Sequence, residues 1–290
     1  MRTAPFPPNG QASRAELQGR LLGHLRQVVR ERDPCRSPAG HLAVRSYLKQ
    51  ELGRFGRLAV HEFHFSGRTH QNLILDLPGQ QDRGFILVGA HYDAVPTSPG
   101  ADDNGSALAV LLELAWIFSE QPARRPMRLV AFDLEEADRR GSMAYAQHLR
   151  DQREPLALMV ALEMLGYRDL RPGSQQYPAG LRHFYPDRGD FIGLIGNLRT
   201  LPVLWKLART MRRSVPCEFL PVPGRGRIIP DTRRSDHASF WDLGYPAIMV
   251  TDTANMRNPH YHSVSDRIET LDIEFLAAVC GGLIAGLSAL

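Results

Sequence analysis

Lysine is almost missing from this chain. Lys49 and Lys206 are the only two among 35 basic residues, and the remaining positive charge is arginine. Arginines occur in pairs, as in Arg124-Arg125, Arg139-Arg140, Arg212-Arg213 and Arg233-Arg234, with acidic residues interleaved and a formal net charge of only +4. No long basic run with aromatics is present, so the footprint of a nucleic-acid surface is missing and no nucleic-acid partner is expected. Cysteine is scarce as well. Cys35, Cys217 and Cys280 lie far apart with no C-x-x-C pair, which argues against a disulfide framework or a thiolate zinc cage. The first twenty residues hold no apolar core of a secretory leader. The uncharged stretch from Phe275 to Leu290 is slightly short for a membrane span. Its Gly281, Gly282 and Gly286 suit close packing on a sheet, so a buried terminal helix is expected. These absences predict a cytoplasmic, soluble protein without a membrane partner.

What is present is ample apolar material. A chain of 290 residues with 43% hydrophobic content can bury a sizeable core as one large domain or two small ones. Leu17, Leu21, Leu22, Leu25 and Val28 recur at helical spacing, and "AGHLAVRSYLKQELGRF" reads as a second helix. Three short strand-like runs follow, "RLAVHEFHF", "HQNLILDLP" and "GFILVGA", close enough together to suggest an antiparallel edge. Beyond them helices and strands alternate to a last helix near Leu271. The pattern predicts an α/β fold, a three-layer α/β/α sandwich around a central mixed, largely parallel sheet. No repeat or low-complexity linker divides the chain, so residues 1–290 are read as a single domain with N-terminal helices over 12–55 packed onto it. Two Pro/Gly-rich stretches, 166–190 and 220–236, read as long loops of the kind that wall a site.

Chemistry-bearing residues collect where apolar runs end. "GAHYDAVPTSPGADDNGSA" places His91 and Asp93 after one strand and Asp102 and Asp103 in the loop that follows. Glu135 and Glu136 follow "RLVAFDL", Glu163 follows "LALMVAL", and "AIMVTDT" leads to His260-Tyr261-His262. One carboxylate at a strand end is ordinarily a cap or a solvated residue. Several facing the crevice at the carboxyl ends of a parallel sheet would repel one another, and a divalent cation removes the conflict.

The blocks "AHYDA", "PGADDNGSA", "DLEEADRRGS", "LEMLGY", "SDHASF" and "NPHYHSVSD" resemble the successive signatures of M28 zinc peptidases. These are co-catalytic metallo-aminopeptidases that share a fold with glutaminyl cyclases. The resemblance implies a zinc-exopeptidase fold with one or two zinc ions per chain, two favoured. It implies His91, Asp103, Glu136, Glu163 and His262 as ligands, with Asp103 bridging. Asp93 would orient His91, Glu135 would be the general base, and Asp236 and His237 would be supporting residues. Asp102 is read as a support or turn residue, and His260, two residues from His262, as the competing ligand. His61, His64 and His70 are read as surface or packing residues, and Trp116, Trp205 and Trp241 as core. Many family members have aspartate where this chain has Glu163, and here Ala137-Asp138-Arg139-Arg140 stands where the family has an apolar stretch.

The resulting expectation is a zinc-dependent aminopeptidase acting on peptides or aminoacyl derivatives through a metal-activated water. A glutaminyl-peptide cyclotransferase on the same fold is the alternative, and a metal-free binding module the third reading. Only four residues separate Glu136 from Gly141, the compact spacing of the peptidases. The long loops contain tyrosines, a phenylalanine and many arginines but no tryptophan, which predicts an open, polar entrance.

Overall fold

The computed structural model describes residues 10–178 and 180–290. The two expected N-terminal helices form α1 (Gly10–Val28) and α2 (Pro38–Gly53). Leu17, Leu21, Leu25 and Val28 of α1 are buried, as are Val44, Leu48 and Leu52 of α2, because apolar residues at three- and four-residue spacing share one helical face. The strands are β1 (Leu58–Phe65), β2 (Arg68–Leu77), β3 (Phe85–His91), β4 (Met127–Phe132), β5 (Leu156–Glu163), β6 (Ile192–Asn197), β7 (Cys217–Val222) and β8 (Ala247–Thr251). Between and after them run α3 (Ala107–Glu120), α4 (Arg140–Asp151), α5 (Leu201–Met211), α6 (His237–Asp242) and α7 (Ile273–Ser288).

One eight-stranded sheet runs in the order β1-β2-β4-β3-β5-β8-β6-β7. Its middle strands β4, β3, β5 and β8 are parallel, and β1 and β2 form the expected antiparallel edge. A second reversal, not visible in the sequence pattern, sets β6 antiparallel to β8, with β7 parallel to β6. Helices α1, α2, α3, α5 and α7 pack on one face, where Val88, Ala90, Leu129, Val160 and Val250 contribute from the strands. Helices α4 and α6 cover the other face, against Leu87, Val130, Phe132 and Met159. Burial on both faces explains why these strands read as continuous apolar runs rather than alternating ones. Among the described residues no helix is long and apolar enough to cross a membrane.

The terminal helix is buried as expected, but its glycines do not meet the sheet. Gly282 and Gly286 face α5, where a Cβ on Gly286 would lie 2.2 Å from Leu207 Cδ1 and one on Gly282 would lie 3.4 Å from Met211 Cγ. Gly281 has open space around it. Of the three tryptophans, Trp241 is fully buried and Trp116 partly so. Trp205 is 54% exposed on the outer side of α5, so helical spacing misassigned it to the core.

The helix contact makes a direct prediction. Gly286→Ala forces the fully buried Leu207 to move and should destabilise the protein by about 1–3 kcal/mol in urea unfolding. Gly281→Ala, on the same helix but unobstructed, should be neutral or gain up to about 1 kcal/mol. Equal effects at the two positions would contradict the close α5–α7 packing.

Candidate metal centre

The parallel strands β3, β4 and β5 end side by side, and their last residues open onto one crevice. His91 closes β3 and Glu163 closes β5, while Glu135 and Glu136 follow β4 after a short turn. Asp103 comes from the segment Ala101–Ser106 that leads from the β3 loop into α3 and departs from helical backbone at Asp103 and Asn104. His262 reaches in from the segment after β8.

These groups meet in two linked sets. His91 Nε2 lies 3.3 Å from Asp103 Oδ1 and 3.7 Å from Glu163 Oε1. His262 Nε2 lies 3.1 Å from Asp103 Oδ2 and 3.3 Å from Glu136 Oε2. Each oxygen of Asp103 thus serves a different imidazole. Two atoms each about 2 Å from one tetrahedral ion are themselves roughly 3.3 Å apart, so both sets have the spacing of ligands to a common cation. His91 Nε2, Asp103 Oδ1 and Glu136 Oε1 are also buried without a hydrogen-bond partner. Buried orphan atoms are costly unless something pairs with them, and cations held in the two sets would pair with these side chains. The donor set, two imidazoles and three carboxylates with no thiolate, suits zinc.

A shell of hydrogen bonds holds the set in place. The Asp93 carboxylate accepts the Glu135 amide at 3.0 Å and the Glu136 amide at 3.1 Å, and so shapes the turn that presents both glutamates. Its link to His91 is weaker than expected, for Nδ1 lies 3.5 Å from Asp93 Oδ1 and 3.2 Å from the Asp93 main-chain oxygen. Asp266 accepts the amides of Asp102 and Asp103. Asn104 donates to Leu162 O and accepts from Met164 N, gripping the backbone on both sides of Glu163. Asp102 accepts from Gly166 N and Asn258 Nδ2 and supports the loop. Arg32, wholly buried just after α1, donates to the carbonyls of Tyr92, Pro99, Gly100 and Asp103. Ser235 donates to Glu163 Oε2 at 2.6 Å.

Asp236, expected as a supporting residue, stands at the N-cap of α6 without a side-chain capping bond and is buried with Oδ1 unpartnered. Burial, with the Glu163 and Asp93 charges added, lifts it to about 7 although His91 opposes the rise. His237 lies behind it, bonded through Nε2 to Thr232 O and edge-on to Trp241. His260 does not share the direction of His262. Its Nδ1 bonds Ser265 Oγ at 2.8 Å, and the chain turns at His262 with φ 55° instead of running extended. Of the histidines read as surface or packing residues, His70 is a packing one, buried against Asp133 opposite His41. Arg32, Ser235, Asp133 and His41 also take part, although an arginine in an arginine-rich run and a serine before an aspartate carry no distinguishing signal in sequence.

The entrance also differs from expectation. A cavity of about 100 Å³ adjoins Glu163 between the two long loops, walled by Tyr177, Tyr185, Phe191, Ile195, Met249 and Tyr261. The tyrosine hydroxyls at 177 and 185 are taken up by the carbonyls of Pro186 and Phe219, so the wall is more apolar than the polar entrance predicted, although Glu218, Asp231 and Arg234 also line it.

Crowding shifts the acid–base balance. Burial pushes Glu135 well above the carboxylate range and Glu163 and Glu136 reinforce this, with His91 opposing. Burial and Asp103 raise Glu136 to about 7 despite His262. Burial would depress His91, but Glu163, Asp103 and Asp93 hold it well above the usual imidazole range. His262 is likewise lifted against burial, to about 10, by Asp103 and Glu136. Asp103 is held below its usual range by the two imidazoles, against its burial.

The model for peptidase family M28 matches residues 72–193. The uncharacterised protein YfbL of Escherichia coli is 36% identical over 250 residues, covering 82% of this chain and 77% of its own. The structure of BSAP, a zinc aminopeptidase from Bacillus subtilis, is 27% identical with a TM-score of 0.57, over 77% of this chain and 50% of that one. LapA aminopeptidase of Legionella pneumophila shares the fold at a TM-score of 0.73 and 18% identity, over 99% of this chain and 76% of its own. The chain spans about half the length of the curated aminopeptidases it matches.

Protonated imidazoles must be neutral to ligate, so zinc uptake at pH 7 should release protons and zinc affinity should rise with pH. Calorimetric titration in two buffers of different ionisation enthalpy should give different apparent enthalpies, and identical values would contradict the raised histidines. In the metal-free protein the His262 contribution to stability is complete below the unfolded imidazole value of about 6.5. It is lost as pH rises through about 10.

Proposed function

The chain belongs to peptidase family M28, and from that premise we propose that it is a zinc-dependent aminopeptidase, built as one domain over residues 1–290 with the N-terminal helices packed onto it. The observation that carries this reading is Asp103, whose two oxygens face His91 and His262 separately. His91, Asp103 and Glu163 would hold one zinc, and Asp103, Glu136 and His262 a second. When bound, zinc polarises the scissile carbonyl and makes water a better nucleophile near neutral pH.

The chain's own residues do the rest. Glu135 shares a cluster with His91 and Glu136, within 4.8 Å, without having its own place in either histidine–Asp103 set. Its raised proton affinity suits a general base that takes a proton from the attacking water and passes it to the leaving amine. Asp93 orients the pair of glutamates through their amides. The aromatic cavity beside Glu163 receives the side chain of the N-terminal residue and favours an apolar one, since burying apolar surface contributes about 25 cal/mol per Å².

The same aromatic wall also favours the cyclase alternative, because an aromatic-lined pocket helps hold a glutaminyl side chain folded back for attack by its own amine in place of water. The hydrolase reading is preferred on the compact spacing from Glu136 to Gly141 and on the likeness to aminopeptidases. A glutaminyl dipeptide separates the two. The expected product is free glutamine, with cleavage of leucyl or alanyl anilides. Pyroglutamate as the main product, with no anilide cleavage, would overturn the hydrolase reading.

Mutation should separate the two glutamates. Glu135→Ala should lower turnover by about 10²–10⁴-fold with zinc content nearly intact, whereas Glu136→Ala should lose zinc as well. Near-normal turnover in the first variant would remove Glu135 from its role.

A further inference from the structure

The excess positive charge of this chain is concentrated on one segment. Residues 191–217, the longest stretch without an acidic side chain, carry Arg199, Lys206, Arg209, Arg212 and Arg213, in a chain whose net charge is only +4. The segment covers β6 and α5, and α5 buries Leu204, Leu207, Ala208 and Met211. Its opposite face is exposed. There Leu198 is 57% accessible, Trp205 54% and Leu201 43%. Leu201, Trp205, Arg209 and Arg213 follow at four-residue spacing and line one open groove. The Arg209 guanidinium lies over the Trp205 ring, 5.4 Å from its centroid. Acid is missing around the face as well as on it. Helix α7, packed along α5, has no charged residue from Phe275 to Leu290. Glu218, on the neighbouring β7, is taken up by Arg212 at 3.1 Å.

We propose that this face of α5 docks on an anionic phospholipid surface. Lipid phosphates attract the arginines, which can bury their stems and keep their charged ends at the headgroups. Leucine and tryptophan beside them suit the boundary between headgroup and acyl chain, where a helix lies in the plane of the membrane. The apolar residues decide between polyanions. A nucleic-acid backbone would pair with the same cations but would leave Leu198 and Leu201 with no apolar phase to enter. No membrane partner was expected from the sequence because no stretch is long enough to span, and a helix lying on the surface needs no span. None of these exposed residues lines the substrate cavity or belongs to the metal centre, so the contact is independent of the chemistry in the crevice.

The test is flotation of the full chain with vesicles of phosphatidylcholine alone or mixed with phosphatidylglycerol. The protein should float with the anionic vesicles at low salt, be released at high salt and stay behind with the neutral ones. One basic residue near an anionic surface strengthens binding by about fivefold. Reversing two of them, in Arg209→Glu with Arg213→Glu, should therefore weaken partitioning by more than about tenfold, with thermal unfolding showing that the variant is folded. Tryptophan fluorescence identifies the face. Trp241 is in the core and Trp116 lies under Arg20, so a blue shift on adding anionic vesicles should come from Trp205 and vanish in Trp205→Phe. Equal flotation with both kinds of vesicle, or with neither, would overturn the proposal, as would a blue shift that survives in Trp205→Phe. Tighter retention of a short DNA duplex than of anionic vesicles at the same salt would overturn it in favour of nucleic acid.

Discussion

Mutual repulsion among buried carboxylates is the constraint around which this molecule is arranged. Asp93, Asp103 and Glu163 are nearly inaccessible at the end of the sheet, with Glu135 and Glu136 beside them. Ionised groups taken from water without partners are strongly disfavoured, and neighbours of like charge add to the cost. The protein answers with backbone amides on Asp93 and Asp266, two imidazoles on Asp103, and a wholly buried guanidinium at Arg32. What these leave unsatisfied is a set of orphan atoms aimed at common points, which is the electrostatic signature of a cation site.

Preorganisation of that site depends on ties between distant segments. Arg32 binds the end of α1 to the loop carrying Asp103, and Asn104 binds that loop to the end of β5. Asp133, held between His41 and His70, anchors the start of the turn to Glu135 and Glu136 and itself accepts the Leu134 amide. The N-terminal helices are therefore part of the support of the centre: α2 supplies His41, and the segment after α1 supplies Arg32.

The wall of the site shows why composition is a poor guide to a surface. The loops around residues 166–190 and 220–236 are rich in arginine and tyrosine, and an open, polar entrance was the natural expectation. In the fold Arg234 bonds Tyr261 and Asn255, Arg233 bonds Asp242, and Arg171 bonds Asp169. These bonds tie up the charged ends, while tyrosine and phenylalanine rings supply much of the carbon of the cavity wall. Whether a loop looks polar from outside or apolar from within depends on side-chain direction, which composition does not encode.

From the sequence alone, the alternation of apolar runs determined the sandwich, because both faces of a parallel sheet must be buried. The polar residues ending those runs marked one crevice, since strand ends of such a sheet converge, and the resemblance to M28 peptidases singled out His91, Asp103, Glu136, Glu163 and His262 among them as the proposed ligands. Tertiary structure alone decided the rest. The reversal of β6, the turn at His262 that sends His260 elsewhere, and the seating of Gly286 on Leu207 all depend on contacts between segments far apart in the chain. So do the parts played by Arg32 and Ser235. A buried arginine and a surface arginine are the same letter, and only the fold determines which carbonyls and carboxylates lie within reach.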